Sequence, residues 1–298
     1  GGEQLELGGA IRLGDQPVMM VEAPPGPRYY WRSTVFDRYG FDGASWEWRH
    51  SRTGRAYTES DGLELNIGET LPGSRQEGLV YAAPQPVMLG LPVEAELDCT
   101  DDLGRLCVNE NRPADVSIIR ARSTLRTGDS YAVRSSMSTA SADELRAAGV
   151  GYPDWVLRLY LQGASSLAPE VQQLAAQIVG EAGATTPYDQ AKAIERWLRQ
   201  NIQYNELIPA PPPDRDPLIW FLFEQREGYC NYYATAMVMM LRTQGIPARM
   251  AAGFAQGTWD PEQGGFLVRE RDAHTWVEAY FPGYGWIEFE PTADEAPL

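Results

Sequence analysis

The stretch Arg226-Glu-Gly-Tyr-Cys230-Asn-Tyr-Tyr-Ala-Thr-Ala-Met-Val-Met-Met-Leu241 constrains the fold of this chain more than any other. Ala234, Met237, Val238 and Leu241 recur at i, i+3, i+4 and i+7, the spacing of one buried helix face. Gly245 stops that helix and Pro247 keeps it from resuming. Cys230 thereby falls at the front of the helix, where unpaired backbone N–H groups and the helix dipole favour negative charge. Such a place favours the thiolate, the nucleophilic form of cysteine. A buried cysteine packing as a small hydrophobe fits the same stretch.

The chain has two histidines, His50 and His274. The second lies in Asp272-Ala-His274-Thr-Trp276-Val-Glu278-Ala-Tyr280, which alternates as a strand does: His274, Trp276, Glu278 and Tyr280 share one face, with Thr275, Val277 and Ala279 on the other. Phe281-Pro-Gly283 reads as a turn, and Trp286-Ile-Glu288-Phe-Glu290 returns as a second strand. A loop over residues 281 to 283, with Gly283 as its left-handed residue, pairs Tyr280 with Tyr284 and sets His274 opposite Glu290. A longer loop pairs Tyr280 with Trp286, which leaves Glu290 diagonal to His274 and sets Glu288 opposite Glu278. Both registers put Glu290 nearer the histidine than Glu288.

These motifs resemble the transglutaminase-like superfamily of cysteine acyltransferases. The resemblance rests on Gly228-Tyr-Cys230, Arg242, Gly245-Ile-Pro-Ala-Arg249, Ala273-His274-Thr-Trp276-Val-Glu278, Gly285-Trp286 and Glu290-Pro-Thr292, in the family's order and spacing. It implies a Cys230–His274–Glu290 triad on a papain-like α+β core. Two positions depart from the family: Glu290 stands where Asp is usual, and Thr275 where Ala is more common. Tyr30-Trp31-Arg32-Ser-Thr-Val-Phe36-Asp37-Arg38-Tyr39 is similar to the β-rich segment that precedes this core in bacterial membrane-anchored members, in which several membrane helices come first and one follows. That similarity implies an extracytoplasmic location, with any membrane contact made by segments outside this chain.

At 298 residues, two units are expected: a β-rich, sandwich-like region over 1–140, and a core over 141–298 with its catalytic helix packed on an antiparallel sheet. Asp and Glu outnumber Lys and Arg by 41 to 25 and no basic stripe appears, which argues against nucleic acid as a partner. The longest apolar runs, such as Ala236 to Leu241, are too short to span a bilayer. Gly1-Gly2-Glu3 lacks the basic start and apolar core of a signal peptide, so the chain reads as a soluble portion of something longer.

In the first region, runs such as Pro17–Val21 and Gly78–Ala82 alternate between turns, and Tyr29, Tyr30, Trp31, Phe36, Tyr39, Phe41, Trp46 and Trp48 read as core rather than as a carbohydrate or peptide site. Cys99 and Cys107 flank a hairpin tip; a disulfide and two separate thiols both fit that spacing. Asp98 to Gly104 fails the EF-hand pattern, with Leu103 where glycine is needed and Asn109 where glutamate is needed. No metal site or cofactor is expected, although some transglutaminases use calcium.

From residue 141 the period turns helical. Ser141 to Glu144 forms a capping box before a short helix that Gly149 ends. Pro169 and Pro187 open two amphipathic helices, the second with Ile194, Trp197, Leu198 and Ile202 on its apolar side. Four prolines between Tyr204 and Asp216 suit either a groove wall or a stiff connector. Asp216-Pro217 caps a further helix through Trp220 and Phe223, with Gly228 as its expected stop.

The expected chemistry is a thioester at Cys230 formed from a glutamine carboxamide or peptide carbonyl, with His274 holding the proton and Glu290 orienting the imidazole. The Cys230 N–H is one candidate oxyanion donor; Gln225, Trp220 and Tyr204 are candidates for the second donor or for substrate contact. A protein or peptide bearing glutamine or amide groups is the implied partner. The same triad serves cross-linking and hydrolysis, so sequence does not separate transglutaminase from protease. A non-catalytic adhesion or scaffold module on this fold remains a rival reading. A metal site at Cys230 and His274 has too thin a ligand set.

Overall fold

In the computed structural model, residues 4–24, 28–50, 54–57, 81–82, 84, 86–89, 93–97, 116–122, 124–135, 137–296 and 298 are described. Cys99, Cys107, the Asp98 to Gly104 turn and residues 78 to 80 lie outside them.

The helix Cys230–Thr243 is the axis of the core. Its side chains are buried nearly all round, from Tyr232 to Arg242, which is more than the single apolar face expected from spacing. A helix apolar on every side belongs in an interior. It packs between the helices Pro169–Glu181 and Pro187–Asn201 on one side and a sheet on the other, in one cluster that includes Met250, Val277, Ala279 and Phe281. Burying each large apolar side chain of this kind contributes roughly 1.5–3 kcal/mol. The expected caps form: Ser141 and Glu144 close a capping box, Thr186 accepts from the Asp189 N–H, and Gly149 and Gly245 adopt left-handed backbone.

Among the described residues the sheet has seven strands, in the order Gly285–Phe289, Ala273–Phe281, Ala248–Ala255, Tyr30–Phe36, Val116–Ala121, Val93–Leu97, Gly54–Tyr57. The strand Tyr30–Phe36, buried along its whole length, pairs antiparallel with Ala248–Ala255. The β-rich region and the helical core therefore share one sheet. A second shared sheet sets Pro17–Val21 beside Gly265–Arg269, which pairs in turn with Thr258–Asp260. Register shifts at Ala252 and Gly253, where a Cβ on Gly253 would lie 1.9 Å from the Trp31 carbonyl oxygen. Only glycine lets the two backbones approach there. Gly253 also sits opposite His274 on the neighbouring strand.

Two expectations need correction. The hairpin takes the longer register: Tyr280 pairs with Trp286 and Glu278 with Glu288, so His274 is not directly opposite Glu290. Phe281 stays in the strand because its ring is fully buried against Phe289, and the turn falls on residues 282 to 284 with Gly283 and Gly285 both left-handed. Ahead of the cysteine, the helical turn Pro217–Ile219 continues as a π-helical segment, Trp220–Gln225, which ends at Arg226 rather than Gly228. Arg226 adopts φ 55°, stabilised by a bond from its guanidinium to the Asn201 carbonyl. Gly228 instead joins a two-residue parallel pairing with Gln203–Tyr204, where a side chain would strike the Phe221 ring.

Polar ties at Thr235 and Arg242 help bind the first region to the helix. The Trp48 indole donates to Thr235 at 2.8 Å. The buried Arg242 guanidinium donates to the carbonyls of Asp37, Gln162 and Ala248, all within 2.9 Å, and burial lowers its pKa to about 10.

Candidate active site

Three elements converge at the start of the Cys230 helix. Cys230 is its first residue and is 5% exposed. The strand Ala273–Phe281 brings His274 to the thiol, and the segment after Gly285–Phe289 brings Glu290 to the imidazole. His274 Nε2 lies 2.7 Å from Glu290 Oε2, so its other ring nitrogen is left for the thiol. The extra methylene of Glu over Asp spans the diagonal that the longer register imposes. Asn231 accepts from the Thr275 hydroxyl at 3.1 Å, a bond that an alanine at 275 could not make and one that ties the residue after Cys230 to the residue after His274.

Glu290 is the most heavily supported side chain of the three. Its Oε2 meets the Tyr30 hydroxyl as well as His274, and its Oε1 accepts the Thr292 N–H at 2.9 Å. Its own N–H is held by Glu195, which pairs with Lys192. Arg199, one turn further along that helix, donates to the carbonyls of Glu290, Thr292 and Glu295.

The electrostatics follow from these contacts. Burial alone would neutralise Glu290, but His274 and the hydrogen bonds from Tyr30 and the Thr292 N–H hold its pKa below the usual carboxylate value. Burial would likewise strip the proton from His274, yet Glu290 and Cys230 raise its pKa well above the ordinary histidine value. Burial and the Glu290 charge push the Tyr30 phenol upward, so it remains a donor. The arrangement supports an imidazolium held against the Glu290 carboxylate, with the Cys230 sulfur on its other side.

The remaining candidates are placed unequally. Tyr204 is close enough to Cys230 that a thiolate there opposes its ionisation, after the larger effects of burial and of its 2.8 Å bond to Glu206. Trp220 is buried against Tyr232, and Gln225 sits partly buried at the end of the π-helical segment; neither hydrogen-bonds to the Cys230 side chain. The proline-rich loop is lined by the N-terminal segment: Ile11 donates to the Glu206 carbonyl, and the hydroxyls of Tyr229 and Tyr232 donate to Gly8 and Gly9.

Sequence reasoning missed Tyr30, Glu195 and Arg199. Glu195 had a legible signal, because Ala191, Ile194, Glu195, Leu198 and Ile202 fall on one helical stripe and only Glu195 is charged. Tyr30 had none, since it is one aromatic among many destined for the interior.

Residues 172–291 match the Transglutaminase-like superfamily, and residues 2–142 match the TgpA N-terminal domain. The chain carries a transglutaminase-like core. Ahead of that core lies a TgpA-type β-rich region. The uncharacterized protein YebA of Bacillus subtilis is 29% identical over 98% of this chain. The protein-glutamine gamma-glutamyltransferase of Pseudomonas aeruginosa is 28% identical over 99% of it. The chain spans 40% of the length of each of these relatives. The crystal structure of the periplasmic domain of TgpA from Pseudomonas aeruginosa superposes with a TM-score of 0.62 at 25% identity, covering 93% of this chain and 88% of that one. No helix among the described residues is long and apolar enough to cross a membrane.

Proposed function

We propose that this chain is the acyl-transferring part of a membrane-anchored transglutaminase-like enzyme, acting outside the cytoplasm on glutamine-bearing protein or peptide. One observation carries this reading: Cys230 opens a buried helix beside His274, which is paired at 2.7 Å with a carboxylate supported on both oxygens. The relative named as a protein-glutamine gamma-glutamyltransferase supports the substrate class, and the likeness to a periplasmic domain supports the location.

The Cys230 sulfur attacks the carboxamide carbon, with the oxyanion received by N–H groups at the helix start. The carbon–nitrogen bond then breaks, and ammonia leaves with the proton that His274 held. An amine or water attacks the thioester, His274 takes the incoming proton, and the thiolate departs. Glu290 keeps the imidazole oriented through both halves.

Incubation with a glutamine peptide and a labelled primary amine, read by product mass, tests the proposal. The expected product is the peptide–amine adduct, with hydrolysed glutamine as the competing outcome, and neither from a folded Cys230→Ala variant. Wild-type turnover in Cys230→Ala would remove Cys230 as the nucleophile.

A further inference from the structure

We propose that Tyr30, which the β-rich region inserts into the core's sheet, is a positioning residue for the Cys230–His274–Glu290 reaction, its hydroxyl holding Glu290 as the carboxylate that leaves the shared proton on the imidazole. This rests on the acyl-transfer reading above.

The geometry supports the role from three sides. Tyr30 OH and His274 Nε2 meet the same oxygen of Glu290, so one carboxylate oxygen receives two donors. The Tyr30 ring stacks on Trp276 at 4.5 Å and lies 5.8 Å from the imidazole, which fixes the direction of the hydroxyl. Tyr30 is completely buried, so water cannot replace that donor. Without the hydroxyl, a proton between Glu290 and His274 has less reason to stay on nitrogen. A neutral imidazole beside a protonated Glu290 would leave the thiolate without its counter-charge.

Glu290 faces His274 and, beyond it, Cys230; Glu288 lies nearby, and Glu195, with Lys192, and Arg199 reach its backbone from the helix Pro187–Asn201. Arg28 lies 5.6 Å from the Tyr30 ring and pairs with Glu295. None of these replaces the second donor on Glu290 Oε2. The hydroxyl comes from a strand more than two hundred residues earlier in the chain, so the triad is completed across both regions.

Tyr30→Phe keeps the ring and removes only the hydroxyl. It should lower kcat on a glutamine peptide about ten-fold with little change in KM, as loss of a hydrogen bond to a charged group implies. The rate of Cys230 alkylation by iodoacetamide should show its acid limb displaced to higher pH, because Glu290 loses a contact that favours its ionised form. Incorporating 3-fluorotyrosine at Tyr30 keeps the ring and strengthens the donor, and should move that limb to lower pH. If Tyr30→Phe does not fold, the fluorotyrosine comparison decides alone. Unchanged acid limbs in the folded variants would overturn the proposal. A wild-type protein that alkylates normally yet transfers no acyl group would refute the acyl-transfer reading instead, leaving the Tyr30 link decided by the alkylation profiles.

Discussion

The hairpin buries two carboxylate clusters side by side and neutralises them by different means. Around Glu290 every donor faces one acid: an imidazole, a phenol and a backbone N–H. Around Glu278, two arginines serve two acids. Arg32 and Arg249 both bind Glu278, holding its pKa down despite complete burial, and the Arg249 guanidinium lies 3.8 Å over the Trp286 ring. Glu288, paired across the strands with Glu278, has an enclosed Oε1 with no hydrogen-bond partner. Burial and the Glu278 charge push its pKa up to about 8. Donors directed at an acid, more than its depth, decide whether it is charged at neutral pH. The first cluster sits against the Cys230 thiol, and the second ties neighbouring strands of the sheet together.

That contrast is open to attack, most forcefully through Arg249. Arg249→Met should destabilise the fold by about 3 kcal/mol, the low end for a broken buried pair, because Arg32 still faces Glu278. Urea unfolding measures it; a change below about 0.5 kcal/mol would mean that the second cluster carries no structural weight.

Glu290→Gln comes next, with an expected fall in single-turnover acyl transfer of roughly ten-fold or more and a smaller effect on folding. Glu290→Asp should retain activity if the strand end shifts to close the shorter reach. A silent Glu290→Gln beside a crippled Glu288→Gln would exchange the roles of the two clusters.

Glu288→Gln should be the mildest change, since the native side chain already holds a proton at neutral pH. The sign of its stability effect is specific. The folded state binds the Glu288 proton more tightly than the unfolded chain does, so stability is full below the unfolded pKa and declines as pH rises through about 8. Urea midpoints of the variant and wild type should lie closest near about pH 4, where Glu288 is protonated folded and unfolded alike, and the variant should exceed wild type by a margin that grows until about pH 9. Parallel losses in both proteins would show that Glu288 ionises without penalty.

Most of the site could be read from the chain. Cys230 at a helix start, His274 in an alternating strand and the preference for Glu290 over Glu288 all follow from spacing. The hairpin register did not, because a slip of two residues keeps every side chain on its original face and leaves the hydrophobic pattern unchanged. It is settled by the burial of Phe281 and by two left-handed glycines rather than one. The end of the π-helical segment was equally hidden, since nothing in its sequence marks Arg226 for φ 55°. Support for Glu290 by Tyr30 depends on a pairing between distant strands that local periodicity does not report.

The strand Tyr30–Phe36 also has a consequence for the order of events during synthesis. It leaves the ribosome before the core does, and the Trp31 indole waits for a carbonyl 225 residues later, and Tyr30 for a carboxylate later still. Until Ala248–Ala255 has been made, this strand of seven buried residues has, among the described residues, the Val116–Ala121 strand and a bridge to Ala82 to pair with, and no finished core to enter. Pairing at such separation is slow, and an unpaired apolar edge is prone to capture by other chains. The strand's late pairing therefore makes the yield of folded chain depend on how long this edge stays unpaired, as well as on the stability of the finished fold.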